Sequence, residues 1–107
     1  MENRLLIIKV YIAARQNNQV DILLSLLSND ASLFHYDGTI FSGKEALKGY
    51  YEKPQAMIPS ISIPHYEKGE YFITLSILGG IKTIKAVFEF NDADLITKIT
   101  LTSIGWI

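Results

Sequence analysis

The sequence predicts an α+β fold in which three helices precede a long antiparallel meander of strands. Apolar residues recur at helical spacing as far as Leu27. Ser42 and Glu45 form an S-x-x-E pattern that opens a later helix. From Met57 onward apolar and polar residues alternate, the period of half-buried strands.

In the first helix, Leu6, Val10 and Ala13 form one apolar stripe and Ile7, Tyr11 and Ala14 an adjacent one. So wide an apolar face suits a helix set deep against a sheet. Asn17-Asn18 ends it, since asparagine tolerates the left-handed backbone that helix ends often need. Val20, Leu23, Leu24 and Leu27 carry the second helix, with Asp21 in its first turn, where negative charge suits the helix dipole. A short strand, Ser32 to Tyr36, follows and turns at Asp37-Gly38. The third helix runs from Gly43 to Tyr51, and Pro54 and Pro59 keep it from continuing.

In the meander, Ile61, Ile63 and His65 alternate with Ser60, Ser62 and Pro64, and Lys68-Gly69 is a turn. Tyr71–Leu78 and Ile81–Phe90 are joined by Gly79-Gly80, a two-residue hairpin signal. Asn91-Asp92-Ala93-Asp94 leads into a last strand, Leu95 to Ile104. The sequence shows no internal repeat and no linker, and 1–107 reads as one domain.

Composition narrows the function classes. The chain has 107 residues, 49% hydrophobic and 20% charged, which is globular rather than disordered. Its formal net charge of −1 and scattered basic residues give no footprint for nucleic acid. With no cysteine, disulfides, thiolate chemistry and the usual zinc sites are excluded. The apolar stretch Leu5 to Ala14 is interrupted by Lys9 and followed by Arg15, which argues against a targeting segment. No apolar run approaches the roughly 20 residues of a membrane span. The expected location is the cytoplasm.

The stretch Leu23 to Tyr51 joins a helix ending at Ser28-Asn29-Asp30, a strand bearing His35, the Asp37-Gly38 turn, and a helix opening at Ser42-Gly43-Lys44-Glu45. That order resembles the front half of the nuclear transport factor two-like superfamily, which includes ketosteroid isomerases and SnoaL-like polyketide cyclases. Val10-Tyr11-Ile12-Ala13-Ala14 is similar to the tyrosine-bearing first helix of the isomerases, and Leu26 to Ala31 to the end of their second helix. Ser42 to Leu47 is similar to the start of their third. The resemblance implies a cone-shaped antiparallel sheet wrapped on three N-terminal helices, a cystatin-like α+β roll with a pocket at its wide end. It places Tyr11 where the isomerases keep an oxyanion donor, and His35 where they keep the carboxylate that shuttles the proton. Their second donor, a protonated aspartate on a late strand, would fall near Ala86 and is missing.

A neutral imidazole at His35 suits a general base near neutral pH, and a solvated histidine is the plain alternative. Tyr11 on an apolar face needs a partner for its hydroxyl, which a ligand oxygen or a protein group would supply. Asp30, at a helix-to-strand junction, is expected to accept local hydrogen bonds, and His65 to face water. His35 and His65 alone do not make a metal site, so neither a metal nor another cofactor is expected. Tyr50 and Tyr51 line the pocket entrance or belong to the core. Ile84, Ala86, Phe88 and Phe90, with Ile99, Leu101 and Ser103, share the face turned into the cone and describe either an apolar site for a small molecule or, equally, a filled core.

Three functions fit these residues. One is a cofactor-independent isomerase, cyclase or dehydratase with His35 as base and Tyr11 as donor. The others are a non-catalytic binder of a small apolar molecule and a dimeric interaction module. A cavity with both residues on its wall favours the first, one lined only by carbon the second, and no cavity at all the third. The opposite face reads Thr83, Lys85, Val87, Glu89 and Ile96, Lys98, Thr100, Thr102, Ile104, a mixture that fits a homodimer interface with a polar rim.

Overall fold

The computed structural model describes residues 2–53, 60–77 and 82–106. Helix α1 (Glu2–Gln16) is followed by α2 (Val20–Ser25), strands β1 (Leu27–Phe34) and β2 (Ile40–Ser42), and helix α3 (Lys44–Glu52). Strands β3 (Ser60–Ile61), β4 (His65–Glu67), β5 (Glu70–Ile77), β6 (Lys82–Phe90) and β7 (Ile96–Trp106) complete the described elements. The three helices pack on one face of a curved, mainly antiparallel sheet of order β2-β1-β7-β6-β5-β3, with β4 also paired to β5.

Helix α1 closes as expected at Asn18, whose φ is 55°. Gln19 N–H donates to the Ala14 carbonyl at 2.8 Å and Asn18 N–H to that of Arg15 at 3.4 Å, the two bonds of a Schellman cap. The buried stripe is narrower than the sequence suggests. Ile8, Tyr11 and Ala14 are buried, whereas Leu6 and Val10 are exposed at 60% and 41%. An apolar arc wider than the contact leaves its far edge in water.

Two boundaries differ from expectation. Leu27 to Ala31 continue the helical pattern of α2 on paper but form β1, because Leu27 pairs with Ile96 in a parallel ladder. A simple antiparallel meander would not contain that pairing. His35 then lies just past the strand. The Ser42–Glu45 capping box does not form either. Gly43, at φ 86°, occupies the cap of α3, with no side-chain hydrogen bond there. Its own N–H donates to the Ala31 carbonyl at 2.8 Å and ties the helix start to β1. Asp30 accepts a hydrogen bond from the Ser28 hydroxyl at 2.9 Å, a local structural role.

In the meander, Lys68 and Gly69 both take positive φ, as a tight hairpin turn requires. Ile77 pairs with Lys82, while the Gly79-Gly80 turn, Pro54, Met57 and Pro59 lie outside the described residues. At the other end of β6, Asn91 Oδ1 accepts from the N–H groups of Ala93 and Leu95, and Asp94 takes φ 61°. Arg4 of α1 ties down that turn, donating to Asp94 at 2.7 Å.

The core joins Ile8 and Leu23 of the helices, Leu47 and Tyr51 of α3, and Phe88 and Ile99 of the sheet. Ile96 also belongs to it, fully buried, and not to the outer face where simple alternation put it. Glu89 pairs with Lys98 and Phe90 with Ile96, so Thr97 is an extra residue on β7. A one-residue bulge reverses which face the following side chains take. Among the described residues no helix is long and apolar enough to cross a membrane.

Candidate functional site

Between α1, α3 and the inner face of the sheet lies a partly enclosed cavity of about 80 Å³. On the same measure one water needs ~10–15 Å³, so the space exceeds a packing defect. Tyr11, Ile12 and Arg15 line it from α1 and Tyr50 from α3. The sheet contributes Leu33, Ile73 and Leu75 together with Ala86, Phe88, Ile99 and Leu101. The register explains the last four, since Ala86 faces Leu101 and Phe88 faces Ile99 across the β6–β7 ladder.

Ile84 and Ser103 share that face by register but do not line the cavity. Ile84 is buried, and Ser103 is exposed where a second irregularity offsets Thr83 and Ile84 against β7. Phe90 is half-buried beyond the bulge and packs on Tyr71.

Tyr11 is 8% exposed, and its hydroxyl lies 2.8 Å from that of Tyr51. Its ring meets Phe88 edge-on at 5.3 Å and Tyr51 edge-on at 6.1 Å. Burial pushes both phenols well above their ordinary pKa, so both keep their protons at neutral pH. The pair therefore holds two protons and shares one hydrogen bond. Tyr11, not Tyr51, lines the cavity. If Tyr51 donates to Tyr11, the Tyr11 proton has no acceptor among the described residues and is available to a ligand. A donor that itself accepts a hydrogen bond is also strengthened by polarisation. Tyr50 stands at the rim, 4.7 Å from the Phe41 ring, its pKa raised by burial and partly pulled back by the Arg15 charge.

His35 is not on the cavity wall. Its Nδ1 lies 3.1 Å from Asp37 Oδ1 and 3.3 Å from the Asp37 N–H. The ring packs on Tyr36 at 4.2 Å and reaches 6.1 Å from Tyr50. It thus borders the rim through Tyr50 and is held by its own turn, where its N–H donates to the Thr39 carbonyl at 2.8 Å. Asp37 is held below the usual carboxylate range, first by the Thr39 backbone N–H and then by His35. His65 stacks on Phe72 at 5.2 Å on the opposite side of the sheet, half-buried where full solvation was expected. The two histidines are therefore not brought together. Among the described residues no group of three or more His, Asp or Glu side chains could hold a metal.

Arg15 was not legible as a site residue, and Tyr51 was legible only as a pocket-entrance or core tyrosine, not as the partner of the Tyr11 hydroxyl. The available signal for Arg15 is its spacing, four residues after Tyr11 and hence on the same helical face. For Tyr51 nothing in the local pattern separates a core tyrosine from one that serves a second hydroxyl.

No protein-family model matches the sequence, and no curated protein sequence does. Solved structures do match. A candidate ketosteroid isomerase from Kribbella flavida superposes with TM-score 0.76 at 12% identity, over 100% of this chain and 82% of that one. A SnoaL-like protein of unknown function from Burkholderia thailandensis gives TM-score 0.74 at 17% identity, over 91% of each chain. The orange carotenoid protein of Anabaena, in a structure binding canthaxanthin, gives TM-score 0.66 at 14% identity, over 90% of this chain and 35% of that one. The chain has the nuclear transport factor two-like fold, and its structural neighbours are SnoaL-like and ketosteroid isomerase-like proteins.

Proposed function

We propose that the cavity binds a small, mainly apolar molecule that offers an oxygen to the Tyr11 hydroxyl. The observation that carries this is the Tyr11 hydroxyl itself, set on an otherwise largely carbon-lined wall 2.8 Å from Tyr51, which can give it a proton and so free its own for a ligand. A site of apolar walls with one or two convergent polar groups is the usual form of a small-molecule pocket. One structural neighbour, matched over 35% of its own chain, is a protein that binds canthaxanthin, a largely hydrocarbon ligand.

The test is a titration with cyclohexanone and cyclohexane, followed by amide chemical shifts. The ketone should bind more tightly, and Tyr11→Phe should weaken it by about 3–10-fold, the size of one neutral hydrogen bond. Cyclohexane should be unaffected by the change. Ketone affinity unaltered in Tyr11→Phe would remove the donor, and binding of neither probe would remove the pocket reading.

A catalytic reading, in which a carbonyl is enolised with Tyr11 as donor and His35 as base, is favoured by the His35–Tyr50 contact at the rim. Binding geometries tighten on occupation, so a base at the rim can be drawn toward a ligand. His35→Ala should then abolish turnover of any substrate found while leaving ligand affinity and melting temperature nearly unchanged.

We also infer a homodimer through the outer face of the sheet. Phe34, Thr100, Val87 and Phe72 form one continuous row across β1, β7, β6 and β5 by register. Lys98 and Lys85 stand over the Phe34 and Phe72 rings at 4.7 and 4.6 Å. Lys85 pairs with Glu70 at 3.0 Å and Lys98 approaches Glu89 at 4.0 Å. Alternating signs around an apolar row suit a twofold partner, which presents the same pattern reversed. Sedimentation at micromolar concentration should give the dimer mass, and Thr100→Asp the monomer mass. A parent chain already at the monomer mass sinks the dimer.

A further inference from the structure

Arg15 is a half-buried cation on the wall of an apolar cavity, and the fold gives it little to do there. Its guanidinium lies 5.2 Å from the ring centroids of both Tyr50 and Tyr51. Nη1 reaches the Tyr51 carbonyl at 3.5 Å, the long limit for a hydrogen bond, and the guanidinium also acts on the Tyr50 hydroxyl, where it pulls the pKa down against burial. A guanidinium carries five N–H donors in a planar fork, more than these two contacts occupy. The Schellman cap at Asn18 fixes the last turn of α1 and with it the place from which Arg15 projects.

Arg4, on the same helix, is an internal comparison. It too lies near two aromatic rings, Tyr71 and Phe90, but it also donates to Asp94 at 2.7 Å and to the Asn91 carbonyl at 3.1 Å. Arg4 is thus a stacked arginine with its charge matched. Arg15 has the stacking without the carboxylate, since the ion pairs among the described residues join other side chains. Nor does the sequence of 54–59 or 78–81 contain an aspartate or glutamate.

We propose that Arg15 reads a carboxylate, so that the ligand is a small carboxylic acid with its apolar body in the cavity and its anionic group at the rim. The proposal rests on the cavity being a ligand site. The planar fork of arginine matches two carboxylate oxygens, and the charge-assisted pair is roughly twice as strong as a neutral hydrogen bond. The low-dielectric wall strengthens it further. A neutral ligand of the same shape would leave the guanidinium as it is now, so the site discriminates by charge.

Benzoate and benzamide have the same number of heavy atoms and differ in charge. In titrations of the full chain at neutral pH and low salt, benzoate should bind about tenfold or more tightly than benzamide. Arg15→Gln should bring the ratio to about one, and Arg15→Lys should keep part of it. Equal affinities in the parent chain, or a ratio that survives Arg15→Gln, would overturn the proposal. Benzamide bound without benzoate removes the carboxylate and leaves the pocket. Binding of neither removes both. If Arg15→Gln does not fold, Arg15→Lys and the loss of benzoate preference at high salt decide the matter.

Discussion

Replacing Phe88 by alanine should destabilise the protein by about 3–5 kcal/mol, the range for truncating a buried aromatic ring. Phe88 is 2% exposed, pairs with Ile99 on one side and Tyr71 on the other, and receives the edge of the Tyr11 ring. It also walls the cavity, so its removal enlarges an existing void, and surrounding side chains cannot collapse onto a space that is already open. Against a total stability of roughly 5–15 kcal/mol the loss is large. For a domain near this size it corresponds to a fall of tens of degrees in melting temperature, at roughly 4–8 °C per kcal/mol. Phe72→Ala is the control. That ring lies on the other face of the sheet, half-buried under Lys85 and beside His65, and its loss should cost about 1 kcal/mol. Urea unfolding of the two variants compares the faces directly. A Phe88 effect no larger than the Phe72 effect would mean that the inner face is not the core.

The inward position of Phe88 was readable in advance, because strand alternation on β6 and β7 separates Ala86, Phe88, Ile99 and Leu101 from Lys85, Val87, Lys98 and Thr100. Period-2 patterning is a local property and needs no knowledge of the partner strand. The same reasoning failed at Ile96, where Thr97 bulges out and reverses the phase. A bulge depends on what the opposite strand requires, and nothing in Ile96-Thr97-Lys98 announces it. The β1 boundary failed for a related reason. Leu26-Leu27-Ser28 continues the helical spacing of α2, and only the distant pairing of Leu27 with Ile96 draws it into the sheet. Turns were more legible because their chemistry is carried by the turn residues themselves. Asn18, Lys68-Gly69 and Asp94 all take the left-handed backbone.

The site was legible in its carbon and less so in its polar atoms. Apolar lining follows from alternation, but a hydrogen-bond network depends on which side chains three elements bring together. Tyr11 could be named from its helix, whereas its partner Tyr51 lies forty positions away. Alternation left His35 facing either the pocket or solvent, and the early end of β1 puts it in a turn where Asp37 and Tyr36 hold it at the rim. Arg15 was weighed only as a charge unsuited to a targeting segment. Its position one turn beyond Tyr11 matters once α3 has brought Tyr50 and Tyr51 against the same face.

Stability should fall steeply above pH 10, and the Tyr11–Tyr51 pair is the cause. Burial raises both phenol pKa values in the folded chain, while in the unfolded chain each titrates near its ordinary value of about 10. Below pH 10 both states keep the protons, and the full stability is present. Above it the unfolded chain releases protons that the folded chain retains, so stability is lost as pH rises toward the folded pKa values. Each tyrosine removes about 1.4 kcal/mol per pH unit in that window, and the two together about 2.7. Tyr50, less deeply buried, adds to the same trend at its lower end. Urea unfolding between pH 8.5 and 11.5 measures the slope. Absorbance of the phenolates follows the same event, since two of the six tyrosines should stay dark until the chain unfolds. Tyr51→Phe removes one of the two contributions and should reduce the slope by about half. Tyr11→Phe should do the same while also removing the donor from the cavity. A slope that is flat to pH 11, or unchanged in Tyr51→Phe, would show that the pair is open to water. The protonated donor on which ligand binding depends would then lose its protection.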